Sequence, residues 1–172
     1  IFKSIKTINL DKGERDLVTS EETNLNALTT LSASVAQKAI TSGTTGSLDD
    51  IISSAKTTVA TSLGIQADNI DKDYLKAKDP TSLSAAAQVT SVLNVVSSTA
   101  GGSNSSNDAL ESFAELLTDS SGSVDLTSTT AMTSIIEKAA EKAGTLSDIS
   151  NNISNVASIT TNVITSIQAI DT

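Results

Sequence analysis

Residues 147–170 read SDISNNISNVASITTNVITSIQAI, and this stretch decides the fold. Seven positions in it recur at alternating spacings of four and three, which places them on one face of an α-helix. They are Ile149, Ile153, Val156, Thr160, Val163, Ile167 and Ile170. The other faces carry mostly Ser, Thr, Asn and Ala, without the flanking charges by which a coiled coil selects its partner. We therefore expect this helix, with Ser147 available as its N-cap, to pack inside its own bundle.

Five segments upstream show the same helical period. Their apolar stripes are Leu25, Leu28, Leu31, Val35 and Ala39; Ile51, Ile52, Ala55, Val59 and Leu63; Leu83, Ala86, Val89 or Thr90, Leu93 and Val96; Leu110, Phe113, Leu116 and Leu117; and Met132, Ile135, Ile136, Ala139 and Ala140. The period outweighs the low helix propensity of the many β-branched residues in the last helix. The pattern predicts an all-α bundle of five to six antiparallel helices.

Residues with known helix-boundary preferences separate these segments. The expected starts are Thr23 or Ser20, Ser47, Asp79 before Pro80, Asn107 or Asp108, and Thr127 or Ser128, and the expected ends include Gly43, Gly64 and Gly144. The alternation in Ile1–Leu10 is typical of a short strand or a linker. We therefore expect residues 1–22 to be a linker or the end of a preceding domain, and residues 23–172 to form the bundle.

Composition limits the kind of protein this can be. With 172 residues, 38% hydrophobic residues and a mean hydropathy of +0.02, the chain can bury the core of one domain. The only aromatic residues are Phe2, Tyr74 and Phe113, so that core must be aliphatic. A net charge of −9 argues against binding to nucleic acid or to an anionic membrane. No apolar run approaches the roughly 20 residues of a membrane span.

The residues that most often perform catalysis are scarce. The chain has no His and no Cys, and its one Arg is Arg15. Ser53 and Lys56 form a Ser-x-x-Lys pattern, but such patterns arise by chance in so Ser-rich a chain. We expect no enzymatic activity and no cofactor.

An acidic loop at residues 68–73 is the one cluster with ligand-like spacing. Asn69, Asp71 and Asp73 fall at the first, third and fifth positions of a calcium loop, where oxygen ligands suit Ca²⁺. Tyr74 stands where the turn glycine is needed, and Pro80 replaces the closing Glu. We interpret the segment as a solvated loop with helix caps, and calcium binding is the alternative. We expect Ile70, Tyr74 and Leu75 to point inward.

Two stretches resemble a known kind of module. Asn24-Leu-Asn-Ala-Leu-Thr-Thr-Leu31 is similar to the "PLTTL" start of helical modules in very large secreted bacterial surface proteins, with Ala27 in place of the Pro. These proteins are adhesins and RTX-type proteins exported by type I systems. Asp71–Pro80, followed by Gln88-Val-Thr-Ser-Val-Leu-Asn94, resembles a later part of the same modules. The resemblance covers roughly residues 20–100.

The resemblance implies a non-catalytic, structural or adhesive module on the bacterial cell surface or outside the cell. Its partners would be neighbouring domains of the same polypeptide and other surface proteins. The sequence leaves two alternatives. One is a small-ligand or lipid carrier with an aliphatic cavity in the bundle. The other is a self-assembling surface-layer or filament subunit that uses the last helix as its interface.

Overall fold

The computed structural model describes residues 25–74, 76–120 and 123–170. This part of the chain is an all-α bundle without strands, which confirms the predicted fold class. Its elements are α1 (Ala27–Thr41), α2 (Leu48–Leu63), a 3₁₀ turn (Ala67–Asn69), α3 (Pro80–Ala100), α4 (Ser105–Asp119), α5 (Thr129–Ala143), α6 (Leu146–Ile149) and α7 (Ile153–Ile170). The expected N-terminal strand or linker and the boundary at residue 22 lie outside the described residues.

Most predicted helix boundaries are confirmed by their hydrogen bonds. The Ser47 hydroxyl accepts a bond from the Asp50 amide at 3.1 Å, and the Asp50 side chain bonds back to Ser47, which forms a capping box. Asp79 caps α3 with Pro80 in the first turn. Gly64 ends α2 at a φ of 70°, in the left-handed region that favours glycine.

The first helix starts later than expected. Its N-cap is Asn26 rather than Thr23 or Ser20, and the Asn26 side-chain oxygen accepts bonds from the amides of Leu28 at 2.8 Å and Thr29 at 2.9 Å. Leu25 therefore precedes the helix and is 56% exposed, so its assignment to the core is wrong.

Two other boundary and core assignments need correction. The fourth helix opens at Ser105, two residues before the expected Asn107. Leu83, expected inside, is 42% exposed, because the buried positions of α3 near its start are instead Ser82 and Ala85.

The core is aliphatic and is centred on α3. This helix contacts α1, α4, α5 and α7, and its buried side chains include Val89, Val92 and Val96. Phe113 of α4 is fully buried among aliphatic neighbours. The predicted stripe of α5, from Met132 to Ala140, is buried completely.

The last predicted helix is two helices, and its buried face differs from the predicted one. A single turn, α6, ends at Ile149, and α7 restarts at Ile153. The side chains that α7 buries are Ile153, Ala157, Thr160, Thr161 and Ile164. This face combines two isoleucines with three smaller residues, and α7 packs against both α3 and α5. The predicted core positions Val163 and Ile170 are 42% and 85% exposed, so that part of the prediction is wrong.

Candidate functional site

The side chains of the acidic loop form hydrogen bonds and an ion pair with nearby protein residues. The side-chain amide of Asn69 donates to the Asp79 carboxylate at 2.8 Å, and the Lys72 ammonium donates to the Asn69 side-chain oxygen at 2.8 Å. Asp71 forms an ion pair with Lys56 of α2. Asp73 accepts a bond from the Lys76 amide at 3.1 Å. The three residues of the calcium alternative therefore each have a different protein partner.

No group of three or more His, Cys, Asp or Glu residues in the described ranges is arranged to hold a metal ion. The lysine of the Ser53–Lys56 pattern is paired with Asp71, and Ser53 is exposed.

Asp79 joins this loop to the helix that follows it. Its carboxylate accepts bonds from the Ser82 hydroxyl at 2.6 Å and the Ser82 amide at 3.2 Å. These bonds hold the pKa of Asp79 below its ordinary value. Ile70 is fully buried, as predicted, and Tyr74 is half-buried, which raises its pKa. Leu75 lies outside the described residues.

An ion cluster between α4 and α5 was not predicted from the sequence. Lys142 lies 3.0 Å from Glu115 and 3.5 Å from Glu111, and Lys138 lies 3.2 Å from Asp119. Burial opposes ionisation of Glu115, but the hydrogen bond from Lys142 and the positive charges of Lys142, Lys38 and Lys138 together outweigh it and hold the pKa of Glu115 low. The same bond raises the pKa of Lys142. The cluster joins α4 to α5 by ion pairs, which is a structural role.

Two grooves on the surface are small and open. One, about 190 Å³, is lined by α1, α3 and α4 and includes Thr90, Asn94 and Ser97. The other, about 180 Å³, is lined mainly by α1 and α2. Pockets that enclose drug-sized ligands measure roughly 300–1,000 Å³, so these grooves do not favour the carrier alternative.

Charge is distributed unevenly over the bundle. Neither α3 nor α7 contains a charged side chain, and α1 contains only Lys38. Most charged side chains of the described residues lie in the acidic loop and in α2, α4 and α5. The others are Lys38 and a few residues in the remaining connections. A second molecule with the same net charge of −9 would meet the least local charge at the uncharged helices.

An apolar ridge runs along the exposed side of α7, next to its buried stripe. We call it the α7 ridge, and it consists of Val156, Ile159, Val163, Ile167 and Ile170. Ile159, Val163 and Ile170 are exposed, whereas Val156 and Ile167 are partly buried and also pack against the core. Ile159 is 65% exposed and was not assigned to any face from the sequence. The signal was present, because α7 contains more Ile and Val residues than one buried face can hold. Exposed apolar surface of this kind is typical of an interaction site.

The chain has no recognisable relative in the comparisons with known proteins. No protein-family model, no curated protein and no solved structure matches it. None of the described helices is long and apolar enough to cross a membrane.

Proposed function

We propose that this chain is a non-catalytic structural or adhesive module of a larger extracellular bacterial protein, in which it spaces or presents neighbouring domains. The observation that carries the proposal is the α7 ridge, an apolar strip whose Ile159, Val163 and Ile170 are exposed on a helix without charged side chains. A rigid bundle that exposes such a strip is suited to pack against another protein surface.

Two further features support this function. The ion pairs of Lys56, Lys138 and Lys142 tie helices and loops of the bundle together. The exposed residues of α7 are otherwise mostly Ser, Thr and Asn, a style common in secreted bacterial surface proteins. The resemblance of residues 20–100 to helical modules of adhesins and RTX-type proteins points to the same setting.

The test compares point variants within the full-length protein. Val163→Asp places a charge at the middle of the α7 ridge, and Leu48→Asp places the same charge on α2 at a matched exposure of 41%. If neighbours pack on the ridge, Val163→Asp should increase proteolytic cleavage at the module's borders or reduce adhesion of intact cells. The Leu48→Asp control should behave like the wild type.

The extracellular assignment is tested on the same cells. A protease added to intact cells should cleave the module without permeabilisation. Cleavage only after permeabilisation would contradict the extracellular location. If Val163→Asp and Leu48→Asp gave the same cleavage at the module's borders and the same adhesion, a role for the α7 ridge would be contradicted.

A further inference from the structure

We propose that the α7 ridge pairs with the same ridge on a second copy of this module, in an antiparallel arrangement about Val163. The inference rests on the proposed function, since it names the partner of the same surface. It follows from the spacing of the ridge, from the charge of the molecule and from the size of the contact.

The spacing of the ridge is the same in both directions. From Val163 the next ridge residues lie four positions away, at Ile159 and Ile167, and then seven positions away, at Val156 and Ile170. A two-fold axis at Val163 therefore brings Val163 against its own copy and Ile159 against the copy's Ile167. Such self-complementarity is what an isologous interface requires.

Charge favours a second copy at this site over pairing elsewhere. Each molecule carries a net charge of −9, so most ways of joining two copies bring like charges together. The α7 ridge is on a helix with no charged side chain, and pairing there buries no ion. Ile159 and Ile170, at 65% and 85% exposure, would contribute most of the newly buried apolar area.

The size of the contact sets the expected strength. A helix of 18 residues is about 27 Å long and about 10 Å wide, so α7 offers on the order of 300 Å² per copy. Stable interfaces bury about 1,200–2,000 Å² in total. The pair is therefore weak and reversible, and it forms where modules are concentrated, for example side by side on one surface.

Sedimentation equilibrium of the full chain tests the pairing. Between about 10 µM and about 1 mM, a range suited to weak complexes, the average mass should rise from 17.6 kDa towards twice that value. Salt should strengthen the pair, because it screens repulsion between two acidic molecules. Val163→Asp should keep the protein monomeric, and Leu48→Asp should dimerise like the wild type.

The chain lacks cysteine, so a single introduced thiol reports the register. Val163→Cys should form a disulfide-linked dimer when diamide oxidises the two thiols. Thr57→Cys, on an exposed site of α2, should react far more slowly.

Two results would overturn the pairing: a 17.6 kDa monomer at about 1 mM in high salt, or a dimer that Val163→Asp leaves intact. Either outcome can occur while Val163→Asp still affects proteolysis or adhesion in the full-length protein. In that case the proposed function stands and only the identity of the partner is wrong.

Discussion

Single residues decide where the helices of this bundle begin and end. Ser47, Asp79 and Gly144 were predicted at their boundaries and are found there, because caps depend on local chemistry. Asn26 was missed although it is a good N-cap. The spacing of Leu25 extends the predicted stripe, and only the packed structure shows that Leu25 lies before the helix and is exposed. Local rules therefore predict the caps, while burial next to a cap depends on tertiary packing.

Asp79 should make stability depend on pH. Its carboxylate is bonded in the fold and its pKa is lowered, so its contribution is present above the ordinary value of 3.8. That contribution is lost as the pH falls through the lower folded pKa. Asp79→Asn keeps the cap oxygen but loses the charge, which should cost about 0.3–1 kcal/mol at pH 7.

Urea unfolding at pH 7, 4 and 2 would measure this effect. The difference between wild type and Asp79→Asn should shrink towards zero at the lowest pH. A difference that is constant with pH would show that the charge of Asp79 does not stabilise the cap.

At the scale of elements, the helical period predicted which segments are helices, but it did not predict which side of α7 faces the core. The sequence stripe ran continuously from Ile149 to Ile170, whereas the structure breaks at residues 150–152 and buries the side containing Ala157 and Ile164. Because Ile and Val occur on two sides of α7, periodicity alone allows either side to face the core. In the bundle, α7 contacts α3 and α5, and the side that contains Ala157 and Ile164 is the buried one.

Alanine substitutions along α7 should cost more unfolding free energy on its buried face than on the α7 ridge. Ile164 is fully buried, so Ile164→Ala should leave a cavity and cost about 2–5 kcal/mol of unfolding free energy. Ile167 is half-buried, and Ile167→Ala should cost about 1–2 kcal/mol. Urea denaturation below about 5 µM, where a weak pair dissociates, gives both values. A larger loss at Ile167 than at Ile164 would support the phase predicted from the sequence.

The loop of residues 68–73 yields a prediction about metal. Asn69, Asp71 and Asp73 have separate protein partners, so calcium would have to displace Lys72 and Lys56. We expect the melting temperature to be the same in excess Ca²⁺ and in EDTA at matched pH and ionic strength, because calcium stabilises the fold by mass action only if it binds the folded chain. Differential scanning calorimetry gives the comparison. A shift above about 5 °C, or roughly 1 kcal/mol or more at this size, would establish a calcium site in the loop.

At the scale of the whole molecule, composition predicted an aliphatic core and the helical period predicted an all-α bundle, and the structure shows which helices pack together. The central helix α3 contacts four other long helices, and the loop before it is tied to the bundle by buried Ile70. The uneven distribution of charge could also be found in the sequence, because residues 80–107 and 149–170 contain no charged side chain. The sequence also shows that α7 has more Ile and Val than one buried face can hold, but it does not show which side of the helix stays exposed, because that depends on how α7 packs in the bundle.

Because every long helix packs on a shared core, we expect the described bundle to unfold as one cooperative unit. Tyr74 is the only Tyr and there is no Trp, so intrinsic fluorescence reports the loop alone, while circular dichroism at 222 nm reports the helices. Tyr74 packs against the core, and the two signals should therefore change at the same urea concentration. Tyr74→Phe, which removes the fluorescence reporter and keeps the ring, should leave the circular dichroism midpoint nearly unchanged. A fluorescence transition at a lower urea concentration than the circular dichroism transition would mean that the loop before α3 unfolds independently of the helices.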